Sequence, residues 1–202
     1  MRDRVAILLL AAGLSRRMRG RDKLLELVAG APLLRCLAER ALGASAPVYV
    51  TLPPEVLRPG RHAALDGVPV TRVVVPDPAE GMAASFRAGV AAIGDDPSGL
   101  MVMLADMPEI VTADLARMIA AFGAAPNLPL RATTADGLPG FPVIFPRRLY
   151  PALSRLSGDV GGKEVLTGER VATLSLPGQR ARLDLDTPEA WAAWRGTENG
   201  AR

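Results

Sequence analysis

The sequence is poor in residues on which many catalytic and structural sites depend. Among its 202 residues there is one cysteine, Cys36, and one histidine, His62. A single cysteine excludes a disulfide within the chain and a cysteine-rich zinc site. A Ser-His-Asp or Cys-His mechanism would have to use His62 itself. His62 lies in "RPGRHAALDG", which predicts a loop or a short surface helix, and we expect it to have a surface role.

Aromatic residues and lysine are also scarce. Aromatics make up 4% of the chain, so Leu, Val, Ile, Ala and Met must fill the interior. Lys23 and Lys163 are the two lysines, and the high isoelectric point comes from arginine. The net charge of +3 is small and the basic residues are scattered, a pattern that does not indicate a nucleic-acid-binding protein.

Long apolar runs are missing as well. The run near the N-terminus ends at Gly13, which makes it too short for a membrane helix. Arginines follow it without a convincing cleavage site, so the sequence does not predict a signal peptide. We therefore expect a cytoplasmic protein with no membrane partner. The length and the 49% of hydrophobic residues predict one domain over residues 1–195, followed by a disordered tail over 196–202.

Short apolar runs alternate with amphipathic segments along the chain. "VAILLLAAG", "VYVTL" and "GLMVMLADMP" are typical of buried strands, and amphipathic helical segments separate them. This alternation predicts a single three-layer α/β/α domain, with a mostly parallel sheet and helices on both faces. A turn at Asp136-Gly137 predicts one antiparallel strand, and "ARLDLD" predicts a further short strand. Ligands of such sheets bind beyond the C-terminal ends of the strands.

The first predicted strand ends in a glycine turn rich in cations. In "AAGLSRRMRGRDK", Gly13 is followed by Arg16, Arg17 and Lys23. A glycine turn lets backbone N–H groups approach an anion, and the cations supply countercharge. The stretch matches neither a Walker A loop nor the G-x-G-x-x-G motif. It fits a di- or triphosphate site, with a solvated basic turn as the alternative.

Carboxylates follow apolar residues at two other places. Asp106 follows a buried strand in "LADMP", where a carboxylate is costly unless a cation meets it. Asp184 and Asp186 alternate with leucines, so both would project from the same side of a strand. Mg²⁺ prefers one or two carboxylates together with phosphate oxygens. With the basic loop, these acids predict a site for a triphosphate, Mg²⁺ and an acceptor; helix caps or arginine partners are the alternative.

Several segments, taken in order, resemble one enzyme family. They are "LAAGLSRRM…DKLL", "PDPAEGMAASFRAG", "LADMP", "GLPGFPVIFPRRL", "GDVGGK" and "LDLDTPEAW". In these segments the chain is similar to nucleotidyltransferases that activate a phosphorylated acceptor with an NTP. Within that superfamily it most resembles the molybdenum cofactor cytidylyltransferases. The resemblance implies a Rossmann-like domain with a mixed sheet and Mg²⁺ as cofactor.

The resemblance also implies roles for the matching residues. The nucleotide would be bound by Leu10, Ala11, Ala12, Gly13, Ser15, Arg17, Lys23, Gly81, Met82, Ser85 and Asp106. The first loop would wrap the CTP phosphates, and residues 81–85 would lie near the base and ribose. The implied catalytic residues are Arg17, Lys23 and Asp106, and the implied metal ligands are Asp106 and Asp186. The acceptor would be bound by Gly140, Phe141, Pro142 and Lys163.

Four positions depart from the family pattern. Arg19 stands in place of a glycine, Val75 of an asparagine, and Phe141 of a histidine. Lys163 replaces an arginine, which keeps the charge but loses bidentate phosphate geometry. Ala12, the second alanine of "LAAG", resembles the cytidine-using branch, whereas guanine-using relatives tend to have "LAGG".

The activity implied by the resemblance is transfer of a cytidylyl group from CTP to the terminal phosphate of a molybdopterin-type acceptor, with release of pyrophosphate. A molybdoenzyme would then receive the product. Three alternatives stay open: GTP as donor or another phosphorylated acceptor, a non-catalytic molybdenum cofactor carrier, and a structural protein that binds no nucleotide. The pair Asp106 and Asp186 argues against a carrier, which has no need of two metal ligands.

Overall fold

The computed structural model describes residues 5–44 and 46–197. A seven-stranded sheet forms its centre, and a small two-stranded ribbon follows the first loop. The strands are β1 Val5–Leu10, β2 Leu27–Val28, β3 Ala31–Pro32, β4 Val48–Leu52, β5 Thr71–Val74, β6 Gly99–Leu104, β7 Leu130–Thr133, β8 Pro139–Pro146 and β9 Ala172–Ser175.

The order of strands in the large sheet is β5-β4-β1-β6-β8-β7-β9. β1 pairs in parallel with β4 and β6, β4 with β5, and β7 with β9. β8 is antiparallel to both of its neighbours, β6 and β7. Within the described sheet β8 is therefore the one strand of opposite direction. This confirms the predicted mostly parallel sheet with one antiparallel strand.

Helices cover both faces of the sheet. They are α1 Leu33–Gly43, α2 Pro59–Ala64, α3 Met82–Ile93, α4 Thr112–Ala124, α5 Tyr150–Leu153 and α6 Pro188–Arg195. Because successive strand residues point to opposite faces, Ile7 and Leu9 pack with α1, α4 and α6, whereas Ala6 and Leu8 pack with α3 and α5. β1 is buried on both sides for this reason, and the predicted three-layer arrangement is confirmed.

The loops that follow β1 and β6 leave the sheet side by side. The two strands are adjacent and parallel, with Leu10 opposite Leu104, and the Ala105 N–H donates to the Leu10 carbonyl at 3.2 Å. The residues after Leu10 and those after Leu104 therefore emerge at the same edge. This is the edge at which the sequence predicted the ligand site.

The segment 181–186 is not the strand that "ARLDLD" predicted. Its backbone makes isolated hydrogen bonds instead of a strand ladder: the Leu185 N–H donates to the Asp106 carbonyl at 3.0 Å, and the Phe141 N–H, in β8, donates to the Ala181 carbonyl at 2.7 Å. The segment is thus irregular, but it is held against the end of β6 and the beginning of β8. That position brings its two aspartates to the edge at which the sequence predicted the ligand site.

The short helix α2 lies behind the first loop, and the expected surface role of its His62 is wrong. The side chain is buried, and its Nε2 lies 2.9 Å from the Pro53 carbonyl oxygen. The contact ties α2 to the chain that follows β4. His62 therefore has a packing role beneath the loop.

Among the described residues, none of the helices combines the length and the apolar character that crossing a membrane requires. Most of the predicted tail, residues 198–202, lies outside the described residues. Gly196 is the first residue of that tail, and its N–H donates to the Ala192 and Ala193 carbonyls at the end of α6.

Candidate active site

The first loop, residues 11–22, presents unpaired backbone donors beyond the end of β1. The Ala11 N–H is bound by the Thr51 carbonyl, whereas those of residues 12–14 donate to no protein acceptor within the described part of the chain. Gly13 is exposed, and a Cβ at this position would have no heavy atom within 4 Å. Open space beside unpaired N–H groups is what an anion requires.

Two residues of the loop have a left-handed backbone although neither is glycine. Ser15 has φ 53° and ψ 36°, and Arg19 has φ 52° and ψ 49°. They flank a single 3₁₀ turn, Arg16–Met18, whose Met18 is buried in the core. Such conformations cost roughly 1–2 kcal/mol each for residues with a Cβ. The surrounding contacts must therefore hold the loop in this shape.

Lys23 joins the first loop to both of the predicted acidic sites. Its Nζ lies 2.5 Å from Asp106 Oδ2 and 2.6 Å from Asp186 Oδ1. The three side chains are 13 to 16% exposed, so these ion pairs are shielded from water. Arg17 Nη2 lies 2.5 Å from the second Asp186 oxygen, but 71% of the Arg17 side chain is exposed. The loop, the end of β6 and the segment before α6 thus converge on one point.

Asp184 joins Asp106 and Asp186 in an acidic cluster. One carboxylate oxygen of each lies within 4.8 Å of the other two. Asp106 Oδ1 is buried and has no hydrogen-bond partner, which is costly for a carboxylate oxygen. Three hard oxygen donors and an unpaired buried oxygen fit a divalent cation such as Mg²⁺ or Mn²⁺.

The charges in this cluster shift one another. Burial alone would lower the pKa of the Lys23 ammonium, but the ion pairs with Asp106 and Asp186 outweigh it and raise that pKa. Lys23 is therefore charged at neutral pH. Partial burial and the neighbouring carboxylates of Asp186 and Asp106 raise the pKa of Asp184. This crowding of negative charge is the condition under which a second cation binds favourably.

A cleft of about 450 Å³ opens beside the cluster. Every residue that the sequence predicted to bind nucleotide lines it, and so does the predicted metal ligand Asp186. The other lining residues are Leu14, Arg16, Leu24, Pro78, Ala79, Leu104 and Asp159. The structure therefore brings the predicted nucleotide-binding residues together, while the role of each stays a prediction.

The wall opposite the first loop is the N-terminal end of α3. Gly81 precedes the helix with φ 112°, and a Cβ there would lie 2.2 Å from Asp159 Oδ1. The Ala83 N–H donates to the Gly158 carbonyl, so the "GDVGG" segment closes over the beginning of the helix. Glycine is required at residue 81 for both its conformation and this close approach. Met82 and Ser85 then face the cleft from the first turns of α3.

The predicted acceptor-binding residues do not line the cleft. Gly140 is buried, and a Cβ there would lie 1.8 Å from the Ala181 carbonyl oxygen. Phe141 is half-buried and Pro142 is buried, both in β8, and Lys163 is exposed. Their assignment to the acceptor stays a prediction. What the structure shows is that Gly140 lets β8 approach the segment that carries Asp184 and Asp186.

Two departures from the family pattern have structural consequences. Arg19 Nη2 lies 2.7 Å from Glu189 in α6, so its charge is directed towards that helix. Val75 is fully buried and packs with Ala12 and Ala84. It therefore contributes an apolar support beneath the first loop.

Sequence reasoning assigned no site role to three residues around this cleft. Asp184 was noticed beside Asp186, but only its position in the fold adds it to the acidic cluster. Asp159 was part of a quoted motif and lines the cleft. Arg61, fully buried on α2, contacts the first loop from behind. An arginine in the short segment 58–64 has no sequence signal that separates it from a surface residue.

A mostly parallel sheet, with the open first loop and the acidic cluster at the same edge, is the arrangement expected of a nucleotide-binding α/β protein. The chain belongs to the family of MobA-like NTP transferase domains, whose profile matches residues 7–174. It is accordingly a nucleotidyltransferase. No curated protein sequence matches the chain.

Solved structures show the same fold over nearly the whole chain. Rv0371c from Mycobacterium tuberculosis H37Rv superposes with a TM-score of 0.83 at 28% identity, covering 96% of this chain and 97% of that one. Its manganese complex superposes with a TM-score of 0.77 at 26% identity, covering 94% and 97%. A nucleotidyl transferase from Methanothermobacter thermautotroptrophicus has a TM-score of 0.74 at 19% identity, with 96% of each chain covered.

Proposed function

We propose that this nucleotidyltransferase transfers a cytidylyl group from CTP to the terminal phosphate of a molybdopterin-type acceptor. The observation that carries the proposal is the contact of Lys23 with both Asp106 and Asp186 beside the unpaired N–H groups of the first loop. Cationic, acidic and anion-binding groups meet there within one cleft. A metal-bridged polyphosphate needs all three.

In this reaction an oxygen of the acceptor phosphate bonds the α-phosphorus of CTP. The bond from that phosphorus to the bridging oxygen breaks, and pyrophosphate leaves. The phosphate nucleophile is already anionic at neutral pH, so no general base is needed. This fits a cleft without histidine among its described lining residues.

The chain's own residues contribute position and charge. The N–H groups of residues 12–14 would hold the phosphate oxygens, and Lys23 and Arg17 would neutralise the charge of the leaving pyrophosphate. Asp106, Asp184 and Asp186 would hold the cofactor, proposed as Mg²⁺. When bound, the metal supplies positive charge on the phosphates. The M. tuberculosis relative has a structure in complex with manganese, which supports the proposal of a divalent metal cofactor.

Cytidine is the proposed base on two grounds. Ala12 matches the "LAAG" form of the cytidine-using branch, and it is buried against Val75 and Ala84. The cleft wall near the proposed base is largely apolar, with Ser85 as its polar residue; its other members are Leu10, Pro78, Ala79, Gly81, Met82 and Leu104. For the acceptor, Phe141 would stack on the pterin ring and Lys163 would pair with its phosphate. The product would pass to a molybdoenzyme, and the cytoplasmic location stays a prediction.

The test is release of pyrophosphate from CTP, GTP, ATP and UTP with a molybdopterin acceptor and Mg²⁺. We expect release from CTP, and we expect Asp106→Ala to abolish it because the cluster loses its buried ligand. Asp66→Ala removes an exposed carboxylate that pairs with Arg72 and is the matched control, expected to retain activity.

Each alternative has its own outcome in this experiment. Release from GTP alone, or only with a sugar phosphate or phospho-acid, would replace the proposed donor or acceptor. Cofactor binding without pyrophosphate release from any NTP would favour the non-catalytic carrier. Full activity of Asp106→Ala at saturating Mg²⁺ would contradict the metal assignment.

A further inference from the structure

Arg61 is a fully buried charged side chain, and it lies directly behind the first loop. We infer that Arg61 is a positioning residue that gives this loop its triphosphate-binding shape. The inference rests on the proposed binding of an NTP by the loop. It adds a residue outside the cleft that acts through Ala11 and Ser15, which line it.

Arg61 bonds the loop at three separate places. Its Nη1 donates to the Ala11 carbonyl at 2.6 Å, and its Nη2 donates to Ser15 Oγ at 2.9 Å. Its Nε and Nη2 donate to the two oxygens of Asp22 at 2.8 and 2.9 Å. One planar guanidinium therefore joins the beginning, the middle and the end of the loop. Lysine, with a single ammonium, cannot reproduce this fork.

The contacts fall where the loop is strained. Ser15 has the left-handed φ of 53°, and its hydroxyl donates to Asp22 Oδ1 while accepting from Arg61. Strained residues persist when surrounding contacts over-determine them, and they concentrate at ligand sites. With Ala11 and Ser15 both held from behind, the N–H groups between them are left to face the cleft.

Asp22, at the end of the first loop, links Arg61 to the turn that carries Lys23. Its carboxylate accepts from the Leu24 N–H at 3.1 Å and so begins the 3₁₀ turn that carries Lys23. Burial alone would raise the pKa of Asp22, but hydrogen bonding and charge from Arg61 hold that pKa below its ordinary value. Arg61 thereby fixes the start of the turn from which Lys23 reaches Asp106.

Stability alone does not explain a buried arginine here. Buried ion pairs are frequently no more stabilising than apolar residues of the same size, because desolvating the charges is costly. What the pair provides at this place is geometry, since the guanidinium contacts the backbone or hydroxyl of the loop residues that line the cleft.

The experiment compares binding of ligands with and without the polyphosphate. Isothermal titration would measure Mg·CTP and Mg·pyrophosphate, ligand-observed NMR would follow cytidine, and thermal unfolding would monitor the fold. The main variant is the double substitution Arg61→Met with Asp22→Asn, which removes both charges and leaves no unpaired buried carboxylate. We expect its affinity for Mg·CTP and for pyrophosphate to fall between about ten- and a hundredfold, the effect of losing roughly one hydrogen bond to a charged phosphate. Cytidine binding should stay unchanged.

Two further variants separate positioning from structural support. Arg61→Lys keeps the charge. Its melting temperature should therefore stay closer to the wild-type value than its Mg·CTP affinity does. Arg180→Met is the matched control, because Arg180 pairs with buried Asp114 at 3.3 Å and lies outside the cleft lining. It should leave Mg·CTP affinity at the wild-type value.

Unchanged Mg·CTP affinity in the double variant would overturn the inference while leaving the proposed function intact. Equal losses of Mg·CTP and cytidine binding would also overturn it, because they indicate general destabilisation. If the wild-type protein bound neither Mg·CTP nor pyrophosphate, the proposed function would fail, and the inference with it.

Discussion

Replacing Lys23 by methionine should make the stability of the protein depend on divalent metal. In the described structure the Lys23 ammonium neutralises Asp106 and Asp186, while Asp184 adds a third carboxylate nearby. Methionine keeps much of the side-chain volume and removes the charge. The three acids then repel one another without their buried counterion, and a divalent cation becomes the best available replacement.

The size of the effect follows from burial. The Lys23, Asp106 and Asp186 side chains are 15, 13 and 16% exposed. Removing one partner of a fully buried ion pair costs about 3–5 kcal/mol. Because these side chains retain some exposure and Arg17 still contacts Asp186, we expect a loss of about 2–3 kcal/mol. For a chain of this length that corresponds to a fall of about 4–12 °C in melting temperature.

The assay is thermal unfolding in EDTA and in millimolar MgCl₂ or MnCl₂. A metal at about one hundred times its dissociation constant adds about 2.7 kcal/mol, which would restore most of the loss in Lys23→Met. The wild-type protein should gain less, because its ammonium competes for the same oxygens. Lys163→Met is the matched control, since Lys163 is the other lysine of the chain and is exposed. A variant that loses stability but gains no more from metal than the wild type would refute the reasoning.

Two other substitutions, Gly140→Ala and Asp22→Asn, test the packing and the ion pair that support the site. Gly140→Ala places a Cβ against the Ala181 carbonyl, so it should lower the free energy of unfolding by about 1–3 kcal/mol and weaken Mn²⁺ binding. The control Gly123→Ala lies in open space on α4 and should raise that free energy by about 0.5–1 kcal/mol. Chemical denaturation and Mn²⁺ titration would measure both effects, and an unchanged stability of Gly140→Ala would contradict the close packing. Asp22 has a lowered pKa in the folded protein, so its stabilising effect should be present above pH ~4 and lost as the pH falls through the folded-state value. The difference in unfolding free energy between wild type and Asp22→Asn should therefore be largest near neutral pH and vanish in acid; a difference independent of pH would argue against the ion pair.

Much of the fold was predictable because burial has a local signature. β1 and β6 are covered on both faces, so their residues must be apolar without interruption, and "VAILLL" and "GLMVML" are. The antiparallel β8 was predictable from the turn at Asp136-Gly137. The structure of "ARLDLD" was not predictable, because an alternating pattern indicates which residues are buried but not whether the segment pairs as a strand. This segment makes isolated backbone hydrogen bonds to Asp106 and Phe141 and forms no strand.

The candidate site was predictable where chemistry follows a strand end. Asp106 could be selected because a carboxylate directly after a buried strand must meet a partner or a ligand, and Gly13 and Lys23 because they belong to the basic glycine turn that follows β1. Arg61 could not be selected, since its contact with Asp22 joins residues that are 39 positions apart in the sequence. His62 shows the same limit, because its burial depends on what α2 packs against.

The sequence alone therefore determined the apolar pattern that makes the parallel sheet and the kinds of group placed after its strands. Only the tertiary structure decided which groups meet: Lys23 contacts Asp106 and Asp186, which are 83 and 163 positions away. The physical reason is that burial is recorded locally, in the spacing of apolar residues. The pairing of distant charges depends instead on strand order, register and the close approach of loops.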